Sequence, residues 1–310
     1  MKALTVLLPT YNGMRFLPEL IGSLKAQTVG DLGVLIQDDG SEDGTIAYLD
    51  EIFAAPMFRA GSEQGRHLGA KGNFLSLMRQ ADTPYAALCD QDDVWLPERL
   101  ARGMEAIRKA EAACGADTPL LVHSDCVVTD AEGNTLHESF FAHQGWDPAA
   151  DTLPRLLVQN NVTGCTVLMN RALYSLCAAH ADPRRIFMHD WFLAMTAAAF
   201  GRIVFLPEAL VRYRQHGSNA VGASGHSLAG RALNALRSPS RVRERIGLTY
   251  EQTEVFLEAY GNALPDEARR QAEAYLLTRD LPKCARIRAI RRGGFTMQSA
   301  LTRAGQMLFG

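Results

Sequence analysis

Three short apolar runs, Leu4 to Leu8, Val34 to Gln37 and Tyr85 to Cys89, each end in a burst of polar residues. The bursts read Pro9-Thr10-Tyr11-Asn12-Gly13, Asp38-Asp39-Gly40-Ser41 and Asp90-Gln91-Asp92-Asp93. Between and around the runs, at 16–27, 45–53 and 73–80, apolar residues recur three or four apart. Short apolar strands separated by amphipathic helices predict a parallel α/β sheet with crossover helices. Asp43 is the expected N-cap of the second helix. Ligands of such sheets sit beyond the carboxyl ends of the strands, so the three bursts should line one crevice.

A charged helix is predicted over 97–113, strands at 120–128 and 165–170, a buried helix at 192–200, and strands at 203–206 and 209–214. Beyond Ser218 the pattern turns helical, at 240–262, 266–278 and 283–308, after a Gly/Ser-rich link over 217–225. A chain of 310 residues then reads as one elaborated domain, 1–224, with a helical appendage, 225–310. The appendage holds 14 basic and 8 acidic side chains against 18 and 26 in the rest. An acidic body suits a bound cation, and a basic tail suits an anionic surface.

Composition excludes several classes. With 47% hydrophobic residues the chain is not disordered. Its six cysteines form no CxxC pair and no disulfide framework, which points to a reducing cytoplasm. Too few apolar residues precede Pro9 for a secretion signal, and no apolar run reaches the roughly 18 residues of a membrane span. The glycosylation match at Asn161-Val162-Thr163 is then chance. No nucleic-acid partner is expected.

Three carboxylates directly after an apolar strand repel one another unless a cation is present. Hard oxygen donors at Asp90 to Asp93 suit Mg²⁺ or Mn²⁺, which would neutralise a diphosphate. The plainer alternative is N-capping of the helix near Pro97. Asp-Gly at 39–40 is likewise ordinary turn chemistry. Gly65 to Asn73 makes only a weak phosphate cradle, because it lacks a P-loop ending. Lys71 there could reach the diphosphate or base edge, but reads first as a solvated lysine.

Taken together these motifs resemble the family 2 glycosyltransferases of the GT-A fold, over roughly residues 3–220. The string Cys89-Asp90-Gln91-Asp92-Asp93-Val94-Trp95 is similar to rhamnosyltransferase-type members. The resemblance rests further on Pro9 to Asn12, on Asp38 to Thr45, on His189-Asp190-Trp191, and on Tyr213-Arg214-Gln215-His216-Gly217-Ser218-Asn219. It implies a Rossmann-like nucleotide-diphospho-sugar transferase fold with a C-terminal helical appendage, and an inverting transfer. By that resemblance Thr10, Tyr11 and Asp39 hold the donor's base and ribose, within a donor-binding set that includes Pro9, Asn12, Asp90 and Gly164. Asp90 and Asp92 serve the ribose and the metal-bound diphosphate, and Asp92 and His216 ligate the metal. A lone loop histidine is by default merely exposed.

Asp190 matches the family's catalytic base, and an inverting displacement needs such a carboxylate beside the acceptor hydroxyl. Locally it could simply cap a helix. The family commonly has Glu-Asp where this chain has His189-Asp190, so the preceding acid is missing. Gly164 allows close approach beside the sugar. Phe140, Phe141 and Trp146 either stack on an acceptor sugar or anchor their loop.

The resemblance implies dTDP-rhamnose as donor, with a UDP-sugar as alternative, and a lipid-linked glycan acceptor in cell-surface polysaccharide synthesis. The tail, 283–310, carries six basic residues beside Met297, Leu301, Met307, Leu308 and Phe309, and is expected to lie on the cytoplasmic face of the inner membrane, the alternative being a terminal helix packed on the catalytic domain with its arginines in water. A nicotinamide dehydrogenase is discarded because no Gly-rich turn follows the first strand. An aspartyl phosphatase would carry its acids on that first strand. A non-catalytic nucleotide-sugar-binding protein stays open, and Asp190 discriminates it.

Overall fold

The structure, a computed structural model, describes residues 2–53, 67–216 and 239–309. The Gly/Ser-rich link, the boundary at 224/225, Gly65, and Gly217 to Asn219 lie outside the described residues.

In chain order β1 (Leu4–Thr10), α1 (Leu17–Lys25), β2 (Leu32–Asp38), α2 (Thr45–Ile52), α3 (Gly69–Gln80) and β3 (Tyr85–Leu88) form the parallel half. Next come β4 (Val94–Trp95), α4 (Arg99–Cys114), β5 (Leu120–Thr129), β6 (Thr135–His137), α5 (Phe140–Gln144) and α6 (Leu153–Leu156). Then follow β7 (Leu168–Asn170), α7 (Arg171–His180), α8 (His189–Phe200) and β8 (Arg202–Arg214). The C-terminal helices are α9 (Pro239–Tyr260), α10 (Asp266–Leu277), α11 (Lys283–Gly293) and α12 (Ala300–Phe309).

The sheet runs β2-β1-β3-β7-β5-β8-β4, with β6 on β5. β1 is buried almost throughout, as a strand covered by helices on both faces must be. It pairs in parallel with β2 and β3, whereas β7 runs antiparallel to β3 and β5. This mixed sheet carries two cores, one per face, built around Leu8, Leu20 and Trp95 and around Leu7, Phe74 and Phe192.

Several expectations shift for local reasons. The runs at 203–206 and 209–214 are one strand: β8 pairs Leu206 with Ser124 and Ala209 with Asp125, so Pro207 and Glu208 bulge out. Proline has no N–H to give the ladder. The stretch 165–170 is strand only from Leu168, with a 3-10 turn over Gly164–Thr166 before it. Asn170 then caps α7, a helix outside the elements predicted from the sequence, by accepting from Leu173 N–H at 3.2 Å. Asp43 is not the N-cap of α2, because Gly44, at φ 92°, takes that position. Asp43 instead accepts Thr45 Oγ1–H at 2.6 Å and Met14 N–H at 3.0 Å, stitching the first two loops.

The 283–308 helix is broken, since Gly294 at φ 73° terminates α11. The C-terminal helices share a core with α8: Phe192 meets Phe256 at 5.7 Å, and Thr196 and Tyr260 hydroxyls lie 2.7 Å apart. No described helix is long and apolar enough to cross a membrane.

Candidate active site

Because β1, β2 and β3 run parallel, their three polar loops emerge at one sheet edge and bond to each other. Thr10 Oγ1 donates to Asp38 Oδ2 at 2.7 Å, and Asp38 Oδ1 accepts Gly40 and Ser41 N–H at 3.0 and 2.7 Å. Asn12, at φ 48°, receives Glu42 N–H at 2.9 Å and gives its own N–H to Ser41 Oγ at 2.8 Å. Asparagine tolerates that left-handed backbone better than most residues. Gln91, which sequence reasoning left unassigned, clasps Tyr11 reciprocally, its Oε1 accepting Tyr11 N–H at 2.9 Å and its Nε2 donating to Tyr11 O at 2.8 Å. A Cβ at Gly13 would lie 2.3 Å from Gln91 Oε1, so the glycine makes that clasp feasible.

All ten residues expected to be catalytic, donor-binding or metal-ligating border one cavity of about 1320 Å³. Pro9, Thr10, Tyr11 and Asn12 form its first edge. Asp39 stands beside them, yet its two carboxylate oxygens accept the N–H groups of Leu68 and Gly69 at 2.8 and 2.9 Å, anchoring the start of α3. His67 meets Tyr11 edge-on at 5.0 Å.

The acids after β3 diverge. Asp92 points to His216, with Oδ2 and Nε2 2.6 Å apart, and His216 stacks on Phe16 at 4.9 Å. Asp90 is pushed up to about 7 by burial, then by the charges of Asp92 and Asp190, against the pull of Arg99. Asp93, 1% exposed, turns inward and accepts Arg214 N–H at 3.0 Å. Burial and the neighbouring acids hold its carboxyl well above the usual range. Oxygens of Asp90 and Asp93 and the sulfur of Cys165 lie within 4.8 Å of one another. A cation already serves that cluster. Buried Arg99 donates to Leu88 O and Cys165 O at 3.2 and 2.5 Å and stacks over Trp95 at 3.3 Å. Desolvation lowers its guanidinium only to about 10, so it keeps its charge. Arg99 was unmarked in the sequence, where it reads as an ordinary helix-start arginine.

Asp190 lies in the first turn of α8, where Met188 rather than Asp190 is the N-cap. Its Oδ1 accepts Trp191 N–H at 2.6 Å. Open to the cavity but otherwise deep in protein, it is raised to about 6 by desolvation, opposed by N–H groups of Trp191 and Gly164 and by Asn160. A Cβ at Gly164 would stand 3.3 Å from His189 Nε2 and 3.6 Å from Asp190 Oδ2, so that glycine makes room for the pair.

Phe140 and Trp146 line the cavity, whereas Phe141, 4% exposed, packs against Phe205 at 4.7 Å. Lys71, partly exposed, donates its ammonium to Ile186 O at 2.8 Å and does not line the cavity. Asn161 is fully buried, where no glycan could be attached. The C-terminal region, expected as a helical appendage, supplies the far wall through Arg241 and Val242 of α9, Leu301 of α12 and Met297 before it.

Residues 5–130 match the model of glycosyl transferase family 2. An uncharacterised glycosyltransferase of Nostoc is 26% identical over 227 residues, 70% of this chain and 66% of the relative. A dTDP-rhamnosyl transferase, RfbG of Shigella flexneri, is 24% identical over 229 residues, 69% of this chain and 73% of the relative. An uncharacterised protein of Mycobacterium tuberculosis is 27% identical over 214 residues, so that the chain spans 57% of that relative's length. Among solved structures, S. aureus TarS 1–349 in complex with UDP-GlcNAc superposes with a TM-score of 0.58 at 19% identity, covering 90% of this chain and 72% of that one. The fold is that of the GT-A glycosyltransferases.

Proposed function

We propose that this chain, whose residues 5–130 match the model of glycosyl transferase family 2, is an inverting glycosyltransferase acting from a nucleoside-diphosphate sugar onto a glycan. One observation carries the reading: a carboxyl raised to about 6, Asp190, borders the same cavity as the Asp92–His216 pair. A base poised near neutrality and an acid-imidazole pair are the two halves of an inverting displacement. Asp190 takes the proton of the acceptor hydroxyl as that oxygen attacks the anomeric carbon. The bond from that carbon to the diphosphate oxygen breaks, and the pair of electrons leaves with the diphosphate. Asp92 and His216, hydrogen-bonded to each other at the cavity, offer a carboxylate and an imidazole, donor types that suit a divalent cation. Mg²⁺ or Mn²⁺ held by Asp92 and His216 would neutralise the leaving diphosphate.

Thr10, Tyr11 and Asp39 hold base and ribose in this reading, with Pro9 and Asn12 shaping the first loop, Asp90 facing the ribose and Gly164 the sugar. A dTDP-linked rhamnose is the favoured donor, supported by the likeness to RfbG, and a UDP-sugar is the alternative, supported by the likeness to TarS. Residues 1–224 carry the chemistry, while 225–310 wall the acceptor side and bring the enzyme to a lipid-linked glycan at the cytoplasmic membrane face. The test is thermal stabilisation by a panel of nucleotide-sugars with Mg²⁺ or Mn²⁺, followed by transfer assays. Stabilisation by dTDP-rhamnose above UDP-glucose and GDP-mannose is expected. A clear UDP-sugar preference replaces the donor, and binding without transfer leaves a nucleotide-sugar-binding protein.

A further inference from the structure

His189 borders the cavity, yet the displacement above leaves it unused. It opens α8 one residue before Asp190 and is 4% exposed. One face of the ring stacks on Phe74, centroids 4.2 Å apart. Neither ring nitrogen has a hydrogen-bond partner. Burial, with the Lys71 charge adding to it, pushes the imidazole down to about 3, so the ring is neutral at any working pH. A neutral imidazole offers one N–H donor and one lone pair. Buried and unspent, both are costly, and an apolar side chain would cover Phe74 with no such cost. The position beside Asp190 says where a partner would come from. Any acceptor oxygen that Asp190 deprotonates must approach the anomeric carbon, which brings the transferred sugar's ring to the start of α8. On the facing turn only a glycine stands, and a Cβ there would crowd Nε2 at 3.3 Å.

We propose that His189 hydrogen-bonds a hydroxyl of the transferred sugar and thereby selects among donor sugars, a role that rests on the transferase reading. The ring then acts as a fixed, uncharged donor-acceptor pair, and it discriminates by the presence and placement of one hydroxyl. Sugars lacking that hydroxyl leave the imidazole unpaired and are disfavoured.

The experiment uses the full chain with His189→Leu and His189→Gln. Thermal stabilisation by nucleoside diphosphate alone is compared with that by the matching nucleotide-sugar. Values of kcat/KM are measured with the best donor and its monodeoxy-sugar analogues. His189→Leu should fold as well as the parent and respond normally to the nucleoside diphosphate. It should lose the extra stabilisation given by the sugar, and kcat/KM for the best donor should fall about 10- to 100-fold, as expected for one lost buried hydrogen bond. With one monodeoxy analogue the variant and the parent should perform alike. His189→Gln should recover part of the loss, because an amide also donates and accepts. Undiminished sugar-dependent stabilisation in His189→Leu, or an equal loss with every analogue, overturns the proposal and makes His189 a packing residue on Phe74. If the parent binds nucleotide-sugars but transfers nothing, the transferase reading fails while the binding comparison still decides His189. A parent that binds none overturns both.

Discussion

As the proposed base, Asp190 meets two opposed demands, since a base must be ionised to accept a proton yet basic enough to hold it. Desolvation supplies the second and two backbone N–H groups preserve the first. Replacement by Asn keeps the shape and the contact to Trp191 within reach but removes the base, so transfer should fall by about 10² to 10⁴ with nucleotide-sugar binding retained. Turnover like the parent's would end the assignment. In the parent, kcat should rise with pH through about 6 as Asp190 ionises. The same shift has a stability consequence of fixed sign. The folded-state value lies above the ordinary 3.8, so ionisation is harder in the folded protein. That penalty is absent below pH 4, grows through the interval and is complete above pH 6. Asp190→Asn should therefore melt higher than the parent at pH 8 and gain none of this at pH 4; an equal gain at both would show that charge is not the cause. Across the cavity, Asp92→Ala should abolish metal-dependent donor binding and His216→Ala should weaken it, read as the metal concentration that half-saturates activity. Full activity in EDTA would refute both.

At the scale of elements, the parallel half was legible because its strands end in polar loops and its helices keep a clear period. Elements escaped where a stronger local fact overrode the pattern. Pro207 made one bulged strand look like two, and the glycines at the start of α3 hid four helical residues whose N-terminus is fixed by Asp39, far off in sequence. That ten named residues would meet round one cavity was legible because they sit at or near strand and helix ends. Gln91 and Arg99 were not, since a clasp and a buried counter-charge depend on neighbours from distant segments. The junction of α8 and β8 gives a sharper test of packing. Gly201 ends α8, and a Cβ there would lie 1.8 Å from Pro119 O and 2.7 Å from Pro119 C. The obstacle is backbone and cannot swing aside. Gly201→Ala should thus cost about 1 to 3 kcal/mol in urea unfolding, the usual range for overpacking. An unchanged midpoint would show that the β5–β8 edge yields freely.

For the whole molecule the question is whether the C-terminal region that walls the cavity also meets the membrane face proposed for it. The apolar residues expected to face lipid divide between these tasks. Met297 is 6% exposed, Leu301 borders the cavity, and Leu308 is 53% exposed. The basic residues divide too. Arg303 donates to Met297 O and Gln298 O at 3.2 and 3.0 Å, and Lys283 to Leu308 O at 3.1 Å, so both fasten the tail to itself. Arg288, Arg291 and Arg292 of α11 remain exposed and have no ion pair among the described residues. If the enzyme meets an anionic bilayer, this arginine face is the part that touches it. Deleting the tail would be a poor test, because Ile290 and Phe295 are 2% and 3% exposed and their loss would open the core. Charge removal leaves that core intact. Each basic residue near an anionic surface contributes about 1 kcal/mol, so Arg288→Gln, Arg291→Gln and Arg292→Gln together should weaken vesicle binding by roughly 100-fold. The full chain should co-sediment with phosphatidylserine-containing vesicles at low salt, release at high salt, and stay in the supernatant as the triple variant with an unchanged melting temperature. Equal sedimentation of parent and variant, or none of the parent, would make α11 a merely solvated helix and leave acceptor delivery to the cavity alone.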